Sequence, residues 1–492
     1  MSLVLWHIAR ERLSEFSDLQ VVSTEEGTFT GGELLAASEE LASLLSRAGL
    51  NEGSVVCCAL PNSLAFVPSL LALCKLSSSI ALTSPKYGVD ELRTIVDVIH
   101  PHYILTTSAF LKTCSESFEI QTTSTLSIKN MSTELLFMTI RDSNVSGISA
   151  DTAFIKFTSG STGMLKAIPL SMENILAECH NIASSLSITE RDGIVVPVPL
   201  CHSYGFDLGV LIMLFTGASL LVRESFVPRK MLKDVALKKS TIVLGVPIMY
   251  RYLVEAHVAA IPDLSHLRYL LSCTAPLRPE TIISFYKKYR VPICQHYGSS
   301  EMGAVTTHVP VHVMEKLESV GLPMNNIRVS IVDDHGHEQT PGKEGEIVVS
   351  SNAMAKSYVG WNPNQRSPFR DGRFWTGDIG KIDDMGYLSL YGRMDGRINV
   401  AGFKVSPQEV VIALERFPAI REAAVLGVKD SMGEEIVYAV VAVDDIVTEK
   451  EILDHCHRHL ADYKVPRRIE IRDELPRGPS GKIRIRQEDL NA

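Results

Sequence analysis

Two kinds of hydrophobic pattern alternate along the first half of the chain. Between about residues 28 and 250, segments with helical spacing of apolar positions, such as GGELLAASEELASLLSRAG, alternate with short β-branched runs such as GSVVCCAL and TIVLGVP. Helical segments that alternate with short strands are typical of α/β layers. We therefore predict an α/β fold with largely parallel sheets for this part of the chain.

The pattern changes twice further along. Between about residues 305 and 390, short strand-like pieces are separated by closely spaced turn signals, which predict an antiparallel, barrel-like subdomain. After YGRMDGR, a strand, a helix over SPQEVVIALERF, two strands and a helix over TEKEILDHCHRHL predict a compact α+β unit of roughly 100 residues. The predicted domains are a large one over residues 1–392 and a small, mobile one over residues 393–492.

The apolar segments are too short for a membrane span. The longest uncharged one, LGVLIMLFTGASLLV at residues 208–222, is broken by Thr216 and Gly217, and predicts a buried helix, a turn and a strand. The N-terminal MSLVLWHIARERLSEF lacks a basic start and predicts an amphipathic helix rather than a secretion signal.

Composition narrows the class of ligand. The chain has 492 residues and a net charge of −9, which argues against a nucleic-acid surface and favours small molecules. Its nine cysteines show neither a C-x-x-C pair nor a metal-like spacing, so we expect reduced, mostly buried thiols in a reducing compartment, the cytoplasm.

Residues 157–171, FTSGSTGMLKAIPLS, form the first chemical motif. Backbone N–H groups, hydroxyls and the ammonium of Lys166 can all turn toward one anion, as a polyphosphate requires. The common P-loop pattern is absent, because only two residues separate Gly160 from Gly163 and Lys166 is followed by Ala167. Taken alone, the composition also fits a flexible Ser/Gly surface loop.

Four further motifs follow in one order: HYGSSEMG (296–303), WTGDIG (375–380), YGRMDGRINVAGFKVSPQEV (391–410) and LPRGPSGKIR (475–484). With the first motif, they make the chain resemble the adenylate-forming enzymes over essentially its whole length. That superfamily includes acyl-CoA synthetases, carrier-loading adenylation domains and firefly-type luciferases. The resemblance implies that a carboxylate attacks the α-phosphate of MgATP to give acyl-AMP, and that a thiol then takes the acyl group.

The resemblance also implies which residues bind the nucleotide. The pyrophosphate loop comprises Thr158, Ser159, Gly160, Ser161, Thr162, Gly163 and Lys166. Tyr297 would stack on adenine, Ser300 would contact the α-phosphate and Glu301 would bind Mg²⁺. Taken alone, Tyr297 would be interpreted as a half-buried core residue.

Two more residues complete the implied nucleotide site, and a third supplies catalysis. Asp378 would accept the ribose hydroxyls, and Arg393 would reach the ribose or the α-phosphate. Lys482 would bridge the incoming carboxylate and the α-phosphate, where charge builds up in the transition state. Taken alone, the three would be interpreted as a turn aspartate, a surface ion-pair arginine and a solvated lysine.

The chain departs from the family pattern in two places. Leu165 and Ala167 replace the usual Pro and Gly around Lys166, which bears on the mobility of the loop. The residue three after Arg393, usually Asp or Lys, is Gly396, with Asp395 just before it. Glycine tolerates large dihedral changes, so we expect residues 395 and 396 to remain a hinge.

The segment PLCHSYGFDLG resembles the part of acyl- and aryl-CoA ligases that carries a histidine at the acyl pocket, here His202. Amino-acid-activating members hold the substrate ammonium with an aspartate, whose expected position falls on Tyr204, unless nearby Asp207 substitutes for it. His202 is a candidate catalytic base, although a pocket wall is the preferred interpretation because a carboxylate is already ionised. The predicted pocket, suited to an aromatic or short- to medium-chain fatty acid, comprises His202, Tyr204, Val246, Ser272, Cys273, Thr274 and Gly298.

The thiol acceptor is predicted from the last third of the chain. Gly402 and Lys404, in AGFKVSPQEV, resemble the coenzyme A side of the family, and we expect no carrier domain to be fused after Lys482. Coenzyme A is the preferred acceptor, with the phosphopantetheine of a separate acyl-carrier protein as the alternative. A luciferase-like oxygenase and a non-catalytic binding protein are weaker alternatives, and the protein is expected to be a monomer or homodimer.

Overall fold

The computed structural model describes residues 2–129, 131–140, 148–159, 165–258, 261–362, 366–394, 396, 398–400, 403–430, 435–477, 483, 485 and 489–490. The chain divides into two compact units: a first unit of residues 1–329 and 349–374, and a second unit of residues 330–348 and 375–492. The predicted domain boundary between residues 392 and 393 concerns the position of a hinge, and it stays a prediction.

The helices follow the predicted apolar spacing. In the described residues they are α1 (Leu3–Glu15), α2 (Gly31–Arg47), α3 (Phe66–Lys75), α4 (Val89–Ile99), α5 (Leu111–Ser117), α6 (Met172–Leu186), α7 (Ser203–Gly205), α8 (Ile212–Thr216), α9 (Pro228–Lys238), α10 (Pro247–Glu255), α11 (Pro279–Tyr289), α12 (Pro407–Glu415) and α13 (Glu449–His459). A π-helical turn, Phe206–Leu211, joins α7 to α8.

The strands carry the β-branched runs. In the described residues they are β1 (Gln20–Ser23), β2 (Thr28–Thr30), β3 (Val55–Ala59), β4 (Ser79–Leu82), β5 (Tyr103–Thr107), β6 (Ile120–Leu126), β7 (Leu135–Ile140), β8 (Thr152–Ser159), β9 (Leu165–Ser171), β10 (Gly193–Val196), β11 (Ser219–Val222), β12 (Ile242–Gly245), β13 (Tyr269–Ser272), β14 (Ile293–Ser299), β15 (Gly303–Thr307), β16 (Ser319–Pro323), β17 (Arg328–Val332), β18 (Glu344–Ser350), β19 (Phe369–Arg370), β20 (Arg373–Ile382), β21 (Leu388–Arg393), β22 (Ile398–Val400), β23 (Phe403–Val405), β24 (Ile420–Lys429), β25 (Glu435–Val443) and β26 (Arg468–Arg472).

The first unit contains a sheet in the order β6-β7-β5-β3-β4-β8-β9. The neighbours β5, β3, β4 and β8 are parallel, while β6, β7 and β9 pair in antiparallel fashion. Strands β3 and β4 are buried at every position, as expected for parallel strands covered on both faces. Strands β8 and β9 form the hairpin that carries the phosphate-loop motif.

A second sheet of the first unit has the order β16-β15-β14-β13-β12-β10-β11-β1-β2. Its strands from β14 to β1 are parallel, and β2, β15 and β16 are antiparallel additions. The apolar stretch before β11 ends its helix at Gly217, whose φ of +82° suits a residue without a side chain. These sheets confirm the predicted α/β class.

The second unit is richer in antiparallel pairs. Strands β20 and β21 pair antiparallel, as do β22 with β23 and β24 with β25, and β26 joins β25 in parallel. Helices α12 and α13 complete an α+β unit whose core includes Val405, Leu414, Ala439 and Ile452. The α+β unit and the antiparallel pairing are confirmed, whereas closure into a barrel stays a prediction.

All nine cysteines are free and buried, as predicted. Burial raises the pKa of Cys201, beside the predicted acyl pocket, to about 12, so this thiol stays protonated at neutral pH. The cytoplasmic location that the cysteine usage predicts stays a prediction. No helix in the described part of the chain is both long and apolar enough to cross a membrane.

Candidate active site

The predicted acyl-pocket residues lie along one edge of the second sheet. Because β10, β12, β13 and β14 are neighbouring parallel strands, their carboxyl ends meet at the same edge, where α/β proteins bind ligands. Val246 directly follows β12, and Ser272 is the last residue of β13, opposite Gly245 in the register. Cys273 and Thr274 come next, and Gly298 lies near the end of β14.

Two backbone features shape this edge. A Cβ atom at Gly298 would lie 2.4 Å from the carbonyl oxygen of Gly303, so only glycine fits the close strand contact there. Thr274 has a φ of +77°, an unusual value for a β-branched residue and a sign of local strain. The turn after β13 is therefore held in a specific conformation beside the predicted pocket.

Tyr204 lies in α7, and His202 is the N-terminal cap of that helix. Its hydroxyl donates to the carbonyl oxygen of Leu271 over 3.0 Å, and its ring stacks on His296 with centroids 6.0 Å apart. Burial raises the pKa of Tyr204 above its usual value and lowers that of His296 to about 4. Both rings are therefore neutral at pH 7, as parts of a pocket wall would be.

Glu301 follows β14 in a tight turn and is only 8% exposed. Its Oε1 accepts a hydrogen bond of 3.0 Å from the hydroxyl of Tyr358, and its carbonyl oxygen accepts one of 2.8 Å from the N–H of Ala355. Next to it, the hydroxyl of Ser300 lies 2.7 Å from that of Ser203. The nucleotide motif thus contacts the segment that follows His202.

The phosphate-loop hairpin brings Thr158 opposite Lys166 in the register of β8 and β9. The ammonium of Lys166 lies 4.9 Å from the ring centroid of Tyr358 and 5.7 Å from that of Trp361. The predicted loop residues Gly160, Ser161, Thr162 and Gly163 lie outside the described residues, as does the side chain of Ser159. Ser203 lies within PLCHSYGFDLG but was not a predicted site residue, and Tyr358 and Trp361 lie outside the quoted motifs.

A buried charged cluster lies behind these residues. The ammonium of Lys156, in β8, is 2.7 Å from both carboxylate oxygens of Asp207, and both side chains are 3% exposed. Nearby Glu178, in α6, accepts a hydrogen bond of 2.7 Å from the N–H of Ala304. Burial, and then the charge of Asp207, raises the pKa of Glu178 to about 8. Asp207 is thus bonded within the core.

The sequence offers one sign of this cluster, since Lys156 and Asp207 are each a charged residue within an apolar run. Lys156 interrupts AFIKF, and Asp207 interrupts GFDLGVLIML. Such residues are almost never fully buried unless they are paired. The sequence does not show which buried partner each residue takes, because that depends on how the first sheet packs against the helix after His202.

The second unit carries the predicted ribose site. Asp378 lies opposite Arg393 across β20 and β21, and the Nη1 atom of Arg393 is 3.2 Å from Oδ1 of Asp378. The same nitrogen donates to the carbonyl oxygen of Thr376 over 3.2 Å. Gly377 has a φ of +71°, and a Cβ atom there would lie 2.9 Å from Nη2 of Arg393. Glycine therefore allows the guanidinium to lie close to this backbone.

Several predicted residues are beyond what the structure describes. Asp395, Gly402 and Lys482 lie outside the described residues, as does the side chain of Lys404. Gly396 is described, and among the described residues a Cβ atom there would have only the Cβ atom of Arg393 within 4 Å, at 3.9 Å. The roles of all these residues stay predictions.

Among the described residues, no group of three or more His, Cys, Asp or Glu side chains is arranged to hold a metal ion. Glu301 offers a carboxylate that accepts a hydrogen bond from Tyr358, whose ring also faces Lys166. A single carboxylate fits Mg²⁺ that is bound mainly through substrate phosphates and water, since this ion keeps most of its ligands outside the protein. The donor set therefore suits Mg²⁺ brought with a nucleotide.

Comparison with known proteins shows which family the chain matches. Residues 9–359 match the model of the AMP-binding enzyme family, and residues 411–482 match that of the AMP-binding enzyme C-terminal domain. An oxalate–CoA ligase of Arabidopsis thaliana is 30% identical over 465 residues, 90% of this chain and 89% of the relative. A probable CoA ligase of Humulus lupulus is 27% identical over 503 residues, covering 99% and 96%.

The fold has matching solved structures. The o-succinylbenzoate CoA synthetase of Bacillus subtilis, in complex with its acyl-adenylate intermediate, is 24% identical and superposes with a TM-score of 0.83, covering 97% of this chain and 96% of that one. The same enzyme with ATP and magnesium ion gives a TM-score of 0.82 over 97% and 98%. The matches to the two family models span both units, and the chain belongs to the AMP-binding enzyme family.

Proposed function

We propose that this protein is an AMP-forming acid–CoA ligase that activates a carboxylic acid with MgATP and transfers the acyl group to coenzyme A. Membership of the AMP-binding enzyme family supports the adenylation step. The relatives that are named CoA ligases support the choice of thiol.

The contacts of Tyr358 support the proposed function most directly. Lys166, from the phosphate-loop hairpin, and Glu301, from the turn after β14, both contact Tyr358, although they belong to separate motifs of the sequence. An ammonium and a carboxylate around one aromatic side chain supply a phosphate-binding cation and a magnesium-binding anion at one place. These are the two charges that a MgATP site needs.

The proposed chemistry has two balanced steps. A carboxylate oxygen of the acid attacks the α-phosphorus of ATP, and the bond to the β-phosphate oxygen breaks, which releases pyrophosphate and leaves acyl-AMP. The thiolate of coenzyme A then attacks the acyl carbon, and AMP leaves with the bonding electron pair. Lys166 would stabilise the departing pyrophosphate and Lys482 the crowded α-phosphate, while Mg²⁺, when bound, neutralises phosphate charge.

The buried cluster bears on the class of acid. An α-amino acid needs a carboxylate for its ammonium, and Asp207 was the candidate closest in sequence to the position where the family places it. Because both oxygens of Asp207 are bonded to Lys156, that carboxylate is committed to the core. We therefore propose an acid without an α-amino group, either aromatic or a short- to medium-chain fatty acid.

Loading of a separate acyl-carrier protein remains the second candidate for the acyl-transfer step, since it begins from the same acyl-AMP. The test is a panel of aromatic, short-chain and medium-chain acids read by pyrophosphate release, with coenzyme A, with a holo-carrier protein and with neither. We expect acid-dependent release and a thioester of coenzyme A. If a thioester formed only on the carrier protein, the acceptor would be the carrier and not coenzyme A. If no acid caused pyrophosphate release, the proposed function would be rejected.

A further inference from the structure

A short segment of the first unit, residues 353–361, contacts two separate parts of the proposed MgATP site. We call it the strap segment. The N–H of Ala355 donates to the carbonyl oxygen of Glu301 over 2.8 Å, and the N–H of Val359 donates to the carbonyl oxygen of Ala167 over 2.9 Å. The strap segment is therefore hydrogen-bonded to the turn of Glu301 and to the strand that carries Lys166.

Tyr358 lies between these two attachments and is buried, with 8% of its surface exposed. Its hydroxyl donates to Oε1 of Glu301 over 3.0 Å, while its ring lies 4.9 Å from the ammonium of Lys166. Trp361 and Phe369 pack against that ring, with centroids 5.4 Å and 5.2 Å away. The ring is thus fixed by its neighbours rather than by the charges that it contacts.

The two contacts differ in chemistry. A hydroxyl donating to a carboxylate is a charge-assisted hydrogen bond that fixes the direction in which the remaining lone pairs point. A ring face attracts an ammonium through its quadrupole and takes none of its three N–H donors. Tyr358 therefore orients an anion and a cation, and it neutralises neither.

We propose that Tyr358 is a positioning residue for the MgATP of the adenylation step, and that Trp361 assists it on the lysine side. Tyr358 aims the carboxylate of Glu301 at the magnesium ion and holds Lys166 for the terminal phosphates. It also keeps these opposite charges from pairing with each other, which would remove both from the nucleotide. The proposal rests on the proposed function, because it assumes that this site takes MgATP.

The test measures the dissociation constant of ATP by titration calorimetry, with excess Mg²⁺ and with the ion chelated. Tyr358→Phe removes the hydroxyl and keeps the ring, so binding without Mg²⁺ stays within twofold of wild type. The gain in affinity that Mg²⁺ provides falls by about tenfold, the effect of losing one hydrogen bond to a charged group. Trp361→Leu, in contrast, weakens binding about threefold in both conditions, as the loss of one cation–π contact predicts.

Matched variants control for packing. Tyr289→Phe likewise removes a buried tyrosine hydroxyl, one that donates to the backbone carbonyl of Leu253 over 2.7 Å and belongs to none of the motifs. It should leave both dissociation constants unchanged. Tyr252→Leu removes an exposed ring that an arginine contacts at 6.0 Å, and it controls for Trp361→Leu.

The outcomes separate this proposal from the proposed function. An unchanged magnesium gain in Tyr358→Phe, alongside normal acid-dependent turnover by the wild type, overturns the role of Tyr358 and leaves the ligase intact. Wild-type protein that binds MgATP but activates no acid rejects the ligase, while the ratio of the two dissociation constants still decides the role of Tyr358. A selective loss of the magnesium gain supports the proposal.

Discussion

Lys156 with Asp207, and Arg393 with Asp378, are both cation–carboxylate pairs, but their surroundings differ. The first pair is enclosed in the first unit, with each side chain 3% exposed and both oxygens of Asp207 bonded. The second pair joins two strands of the second unit, with Nη1 of Arg393 3.2 Å from Oδ1 of Asp378, and its side chains are 51% and 22% exposed. One pair is cut off from water, and the other can exchange its partner for a ligand.

The difference separates structural charges from functional ones. Removing one member of a buried pair leaves an uncompensated charge at low dielectric, whereas an exposed pair contributes little to folding. We therefore expect substitutions in the buried pair to affect stability first, and substitutions in the exposed pair to affect nucleotide binding first.

The largest expected effect follows from Lys156→Met, which leaves Asp207 buried and unpaired. We expect the free energy of unfolding to fall by about 3–5 kcal/mol, measured by urea denaturation. The control is Lys156→Met combined with Asp207→Leu, which removes both charges and should restore most of the loss. A single variant within about 1 kcal/mol of wild type would show that the pair is not a structural element.

The converse test is Asp378→Asn, which keeps the shape and removes the charge. We expect the free energy of unfolding to change by less than about 1 kcal/mol. Acid-dependent ATP–pyrophosphate exchange should fall on the order of 100-fold in kcat/KM, since two ribose hydroxyls would lose a charged acceptor. If Asp378→Asn lost as much stability as Lys156→Met and kept normal ATP–pyrophosphate exchange, the Asp378–Arg393 pair would be structural rather than functional.

These two pairs also show which residues could be predicted from the sequence. Asp378 and Arg393 were predicted because each lies in a motif whose residues are close in sequence, and the structure places them opposite each other. The α/β class and the α+β unit followed from apolar spacing in the same way. Lys156, Glu178, Tyr358 and Trp361 were missed because their importance arises from tertiary neighbours, and no local pattern encodes which neighbours those are.

The buried cluster should make the stability of the protein depend on pH. The pKa of Glu178 is raised by burial from its usual 4.5 to about 8, so the folded protein retains a proton that the unfolded chain releases. Protonated Glu178 therefore contributes to the free energy of unfolding. This contribution is complete below pH 4.5 and is lost as the pH rises through about 8.

Glu178→Gln mimics the protonated side chain and should remove this dependence. Relative to wild type, the variant should gain stability at about 1.4 kcal/mol per pH unit between pH 5 and pH 8. The exposed Glu173→Gln, on the same helix, is the matched control and should show no such trend. If the free energy of unfolding changed with pH in the same way in wild type and Glu178→Gln, Glu178 would not be the group that retains a proton in the folded protein.

The smallest expected effect concerns the segment after the exposed pair. Gly396→Pro restricts the backbone at the predicted hinge, where a Cβ atom would come no nearer than 3.9 Å to any described residue other than its chain neighbours, the nearest being Arg393. We expect adenylation within about twofold of wild type and thioester formation roughly five- to tenfold slower, as slowed domain movement would cause. Gly396→Ala is the milder control, and equal losses in both half-reactions would reject the hinge.

In the proposed reaction, the acid is activated at the α-phosphate of ATP. The most direct measurement uses the best acid of the panel, labelled with ¹⁸O in its carboxylate, and determines by mass spectrometry where the label goes during thioester formation with coenzyme A. Attack on the α-phosphorus predicts one ¹⁸O atom in AMP and none in pyrophosphate. Unlabelled AMP, or label in pyrophosphate or inorganic phosphate, would contradict activation through an acyl-adenylate.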